Sequence, residues 1–319
     1  MTRSKFPICI VAAALLSGCG GGSQPPSAQG TIPLAARDEH GKSWMLPEAK
    51  GSDLLYLTSP ELVSVYRFPG GHKVGELSLS SAYLYGECTD TSGDVFVVDY
   101  DYGAYEYAHG ETAVLASIYN PLTHSHSCSV DPVTGDLAIT SDAYRKVLSI
   151  YKYSPKRGWS FPKTYTAETV RYAYNCAYDD RGNLYVDGTP NPNSGFALAE
   201  LPRGASKLEV VQLNQVIGAP GQVQWDGKYL AVGDMSSSPT IVYRFSMSGS
   251  TGTEVGSLEL TGSNHVSNFW IRDGILVGPD NHQDEAGFWP YPGGGDETRH
   301  LELPLAFGAT VSLARASTR

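Results

Sequence analysis

The chain has 319 residues, 23 basic against 33 acidic side chains and a net charge of −10. Charged residues make up only 18% of it, while Tyr contributes 20 positions and Gly 35. The acidic balance excludes a nucleic-acid partner, whose phosphates would be repelled, and adsorption to anionic lipid. Tyr, Gly and β-branched residues together favour sheet over helix.

In chain order, the first element is a targeting segment. Arg3 and Lys5 precede an apolar stretch from Phe6 to Leu16, too short to span a bilayer stably. It ends in Leu16-Ser17-Gly18-Cys19, which resembles a bacterial lipobox. The resemblance implies a signal peptide over 1–18 and a lipid on Cys19; a plain secretory signal with an incidental Cys is the alternative. Gly20 to Gly30, with Gly, Ser, Gln and Pro, cannot bury apolar area, so residues 19–42 read as the lipidated Cys and a flexible tether. Gly20 is not acidic, so the expected address is the bacterial cell envelope, with the outer membrane favoured in a Gram-negative host. Loss of Arg3 and Lys5 lowers the basic count from 23 to 21, for a mature charge of about −12 against 33 acids.

Residues 43–319 carry a repeat. Cys88-Thr-Asp-Thr-Ser-Gly-Asp-Val-Phe-Val-Val-Asp99 recurs as Cys128-Ser-Val-Asp-Pro-Val-Thr-Gly-Asp-Leu-Ala-Ile-Thr140 and as Cys176-Ala-Tyr-Asp-Asp-Arg-Gly-Asn-Leu-Tyr-Val-Asp187. Weaker copies start at Trp225 and Arg272. The turn residues Gly93, Gly135, Gly182, Gly227 and Gly274 are 42, 47, 45 and 47 positions apart. A period in the forties with strands in every copy predicts an all-β, six-bladed β-propeller of four-stranded antiparallel blades. Five blades fall between residues 82 and 304. Asp53 to Thr58, Leu62 to Phe68 and Lys73 to Leu79 supply three strands of another. Its inner strand is expected from Phe307 to Ala314, closing the ring so that no sheet edge stays open; Trp44-Met45-Leu46-Pro47 is the poorer candidate because of its proline.

Three cysteines remain after Cys9 and Cys19 are set aside. Cys88, Cys128 and Cys176 read as sharing one phase of the repeat, and the expectation is three buried, reduced thiols. One bridge is the alternative.

The copy from Gly86 to Asp99, with the Tyr-rich strand after it, resembles NHL-repeat propellers. Two enzyme groups share that neighbourhood of folds. Gluconolactonase-like propellers hold a divalent cation with Glu, Asn and Asp; peptide-amidating lyases use zinc and His. Glu87, Asn175 and Asp280 have the residue types of the first set, but no local motif maps either set onto this chain.

Loops entering the first strands and loops joining second to third strands open on one end of the channel. They carry Tyr85, Glu87, His124, His126, Tyr172, Tyr174, Asn175 and His265, together with Asp99, Asp142 and Asp280. His124 and His126 alternate on one strand face, so both imidazoles have access to one metal with His265 or Asp142. Tyr172 and Tyr174 occupy the matching slots, which favours lining by large planar side chains. Asp99-Tyr100-Asp101 reads as turn capping, with Ca²⁺ or another divalent cation as the alternative; no cofactor is otherwise expected. The expected function is a monomeric module binding a small polar ligand, a glycan or an envelope protein, attached to the membrane through its lipid alone. A divalent-metal lactonase or lyase is the alternative.

Overall fold

The computed structural model describes residues 42–79, 82–192 and 194–315. The signal segment, Cys19 and most of the tether lie outside the described residues.

Six antiparallel sheets form the blades of a propeller. Blade 2 shows the plan: Leu84–Thr89 innermost, then Val95–Asp99, Gly103–Tyr107 and Val114–Tyr119. Blades 3, 4 and 5 start with Ser125–Val130, Tyr172–Tyr178 and Pro220–Trp225, and blade 6 with Trp270–Arg272. Gly308–Ser312 is the inner strand of blade 1 and pairs antiparallel with Leu54–Ser59, Leu54 opposite Ser312 and Thr58 opposite Gly308. The ring thus closes through the C-terminal strand. Trp44–Met45 adds instead to the outside of blade 1, against Lys73–Ser78.

The second strands are apolar because both their faces are covered. Five of the six are buried at every residue. Alternate side chains serve alternate neighbours. Leu54 and Tyr56 meet Val95 and Val97 between blades 1 and 2, while Leu55 and Leu57 meet Val277 and Phe288 between blades 1 and 6. Each such Leu or Val contributes roughly 1.5–3 kcal/mol by full burial.

The repeated motif is the turn from first to second strand. Asp90 Oδ1 accepts hydrogen bonds from the N–H groups of Ser92 and Asp94, Asp179 Oδ1 from Arg181 and Asn183, and Asp226 Oδ1 from Lys228 and Tyr229. The glycine that follows in each of the five copies has φ between 76° and 96°, a region costly for residues with a Cβ. These turns form the lower end of the channel.

The cysteine expectation is corrected here. Cys88 and Cys128 form a disulfide, and Cys176 alone is a free, buried thiol whose ionisation burial opposes. The three do not share a phase. Cys128 pairs with Ile139 and Cys176 with Val186, but Val97, the equivalent residue of blade 2, pairs with Glu87; Cys88 is one place further on, opposite Phe96. One step along a strand reverses the side chain. Cys88 therefore points toward blade 3, into the core that holds Cys128, whereas Cys176 lies in the core between blades 3 and 4.

Candidate functional site at the upper channel mouth

At the upper end the inner strands of four blades bulge. Between the pairs Leu84–Asp99 and Glu87–Val97, Tyr85 and Gly86 oppose the single residue Val98. The same two-against-one arrangement holds His126–Ser127, Tyr174–Asn175 and Gly221–Gln222. A bulge turns a side chain out of the alternating pattern, and such sites are frequent beside functional centres. Here the bulges of blades 2, 3 and 4 deliver Tyr85, His126 and Tyr174 to the channel mouth, and that of blade 5 delivers a glycine.

The result is a cavity of about 530 Å³. Tyr85, His126, Tyr174, Asn175 and His265 all line it, with Phe307. Gly195, Gly218, Ala219, Ser267 and Asn268 line it from blades 4 to 6. The side of blades 2 to 4 is therefore aromatic, while blades 4 to 6 contribute mostly small and amide side chains, with Met235 and His265 among them. The rings touch: Tyr85 lies 4.7 Å from His126 and 5.1 Å from Phe307 between centroids, and His126 lies 5.0 Å from Tyr174.

Asp142 fixes the imidazoles. His124 Nδ1 donates to its Oδ1 at 2.8 Å, and His126 Nε2 to its Oδ2 at 3.3 Å. Burial raises the Asp142 pKa, but the hydrogen bonds and charges of His126 and His124 outweigh it and hold the carboxyl below its ordinary value. An ionised carboxylate only accepts, so the two ring nitrogens that face Asp142 are the donors. Tyr100 stacks on His124 at 4.6 Å and 7°, and burial with the nearby Asp142 charge pushes its hydroxyl up to about 12. His265 stacks on His282 at 4.6 Å; burial and that neighbour lower its pKa.

The remaining sequence candidates have other duties. Asp99 accepts from the Asp101 N–H at 3.0 Å, capping its loop. Asp280 is buried and accepts from the N–H groups of Asn264, His265 and His282. Asn175 sends its amide to Gly221 O of blade 5 at 2.9 Å and to Asp187, so it also ties blades together. Tyr172 packs against Tyr144, its ring tilted by 47°, and is not part of the cavity wall. Glu87 is buried against blade 1, with the Thr58 and Thr310 backbones nearest. Glu87, Asn175 and Asp280 thus have separate surroundings. His124 is an exposed rim residue rather than part of the cavity wall.

Phe307, Met235 and Asn281 were not among the sequence candidates. Phe307 was legible: it enters the closing strand as Tyr83 and Leu84 enter theirs. Asn281 follows Asp280, and its Oδ1 is buried without a hydrogen-bond partner among the described residues.

No protein family matches the sequence, and no curated protein does. Among solved structures, a chain from the crystal structure of a nidogen/laminin complex matches with a TM-score of 0.67 at 12% identity, over 83% of this chain and 100% of that one. The likeness is one of fold: this chain is a six-bladed β-propeller.

Proposed function

We propose that the protein is a lipid-anchored, NHL-like binding module of the bacterial cell envelope. Its upper mouth takes a small, neutral, polyhydroxylated ligand such as a sugar residue. The observation behind this is the two-sided cavity. Tyr85, His126 and Tyr174 offer flat faces with polar tips, and the small residues opposite leave room for a ring. A volume of about 530 Å³ is in the range of small-molecule sites. The acidic net charge disfavours anionic ligands. The fold is also compatible with a protein partner, since a chain of similar fold comes from a two-protein complex; the ligand-sized cavity favours the small ligand. The separate surroundings of Glu87, Asn175 and Asp280 do not favour the lactonase alternative.

The test is binding of neutral monosaccharides to the full chain in detergent, measured by calorimetry, with Tyr85→Ala and Tyr174→Ala beside it. Saturable binding weakened about tenfold by either variant supports the reading. Binding indifferent to both, or none, defeats it. Mass spectrometry of the mature N-terminus tests the anchor: the expected species starts at Cys19 and carries lipid.

A further inference from the structure

We infer that the mouth takes the end of a linear neutral oligosaccharide, with later units leaving over the rim between blades 2 and 3, along Tyr83, Tyr100 and His124. This rests on the sugar reading above and commits it to a chain rather than a single unit.

The argument starts from continuity. The aromatic surface does not stop at the cavity wall. Tyr85, a wall residue, stacks on Tyr100 at 5.2 Å and 29°. Tyr100 contacts Tyr83 at 6.1 Å and stacks on His124 at 4.6 Å. Exposure rises outward along this path: the His126 side chain is 15% exposed in the cavity, whereas His124 is 48% and Tyr83 45% exposed at the rim. Tyrosine rings left in water beside a ligand-sized cavity are a recognition surface in form, because each offers an apolar face and a hydroxyl at little rotamer cost.

The rim is also held in place. His124 has φ 62°, a left-handed backbone that non-glycine residues seldom adopt, and its ring is fixed by Asp142. Its carbonyl accepts from the Asp142 N–H at 3.2 Å, so backbone and side chain of the two residues are joined twice. Tyr83 O accepts from the Tyr100 N–H at 2.8 Å. The three rim rings therefore stand on backbone that is already tied, which lowers the ordering cost of binding.

Charge decides the kind of chain. Arg145, in the loop between the second and third strands of blade 3, is 3.7 Å from Glu168 and lies over the Tyr144 ring. Asp142, kept ionised by its two imidazoles, stands between cavity and rim. An acidic polysaccharide would meet a carboxylate at this point, whereas a neutral one meets an acceptor for its hydroxyls.

The experiment is calorimetry on the full chain in detergent with neutral oligomers of one to six units in four series: β-1,4-glucose, α-1,4-glucose, β-1,4-mannose and β-1,4-N-acetylglucosamine. Affinity in the series that binds should rise on the order of tenfold from one unit to three, a hot-spot contribution. In the double variant Tyr83→Ala/His124→Ala the ratio of trimer to monomer affinity should fall to near one. A trimer no tighter than its monomer overturns the chain and leaves the sugar reading standing. A length gain that survives the double variant overturns the path. No binding at any length in any series removes the sugar reading and this inference with it. A circular-dichroism melt of the double variant separates loss of the rim from loss of the fold.

Discussion

The two ends of the channel are built from the same six blades by opposite rules. At the lower end the chain repeats itself: an Asp accepts from the amides of its own turn, a glycine follows in left-handed backbone, and a buried strand begins. Most of the polar groups there are spent on the fold. At the upper end the inner strands bulge, and what the bulges present differs from blade to blade: Tyr85, His126, Tyr174, then Gly221. Recurrence along the sequence marks the end that keeps the propeller together. Departure from it marks the end that has room to recognise something.

That contrast is most strongly tested by the disulfide. Cys88 and Cys128 join the inner strands of blades 2 and 3 toward the lower end of the channel. Replacing both by Ser should cost about 2–4 kcal/mol in urea unfolding and leave ligand affinity within about twofold. A large loss of affinity would mean that the two ends are coupled. Under denaturing, non-reducing conditions one of the three propeller cysteines, Cys176, should react with a thiol reagent.

Glu87 gives a pH-dependent effect of intermediate size. Both its oxygens are buried with no hydrogen bond of ordinary length among the described residues. Burial lifts its pKa well above the ordinary value, against the opposing Thr58 and Thr310 backbone N–H groups. The folded state then keeps a proton that the unfolded chain releases above about pH 4.3. From there upward its share of stability is lost at about 1.4 kcal/mol per pH unit until the folded carboxyl itself ionises. Glu87→Gln has no such proton, so its melting temperature should gain on the parent from pH 4 to pH 7. A constant difference across that range would contradict the assignment.

Single-residue changes at the two ends should separate cleanly. Asp179→Ala removes an acceptor for Arg181 N–H, Asn183 N–H and the Asn183 amide. It should cost about 2 kcal/mol of stability with no change in binding. Tyr85→Ala should do the reverse, lowering affinity by about 1–2 kcal/mol with the smaller effect on unfolding. If both variants lose stability and affinity together, the division between a structural and a recognising end fails.

How much of this could be read in advance differs by feature. The strands and the closing segment were legible because burial on both faces demands apolar runs such as Val95 to Val98 and Leu184 to Val186. The residues of the mouth were legible in kind, since Tyr85, His126, Tyr174 and His265 stand in entering loops that the topology gathers at one end. The disulfide was misread although its signal was present: Cys88 is two residues before its turn Asp90, whereas Cys128 and Cys176 are three before Asp131 and Asp179. Counting from the turn, rather than from the cysteine, places Cys88 on the other face.

Period, turn chemistry and two-sided burial are local consequences of residue type, and they suffice for the propeller, its blade count and the end at which polar aromatic residues gather. Which of those residues share a cavity depends on how the blades pack and pair. Glu87 and Tyr85 are two residues apart, yet one is sealed between blades and the other faces the mouth. The bulge at Tyr85 and Gly86 separates their fates. It shows only in the register of one strand against the next, which no stretch of sequence read alone contains.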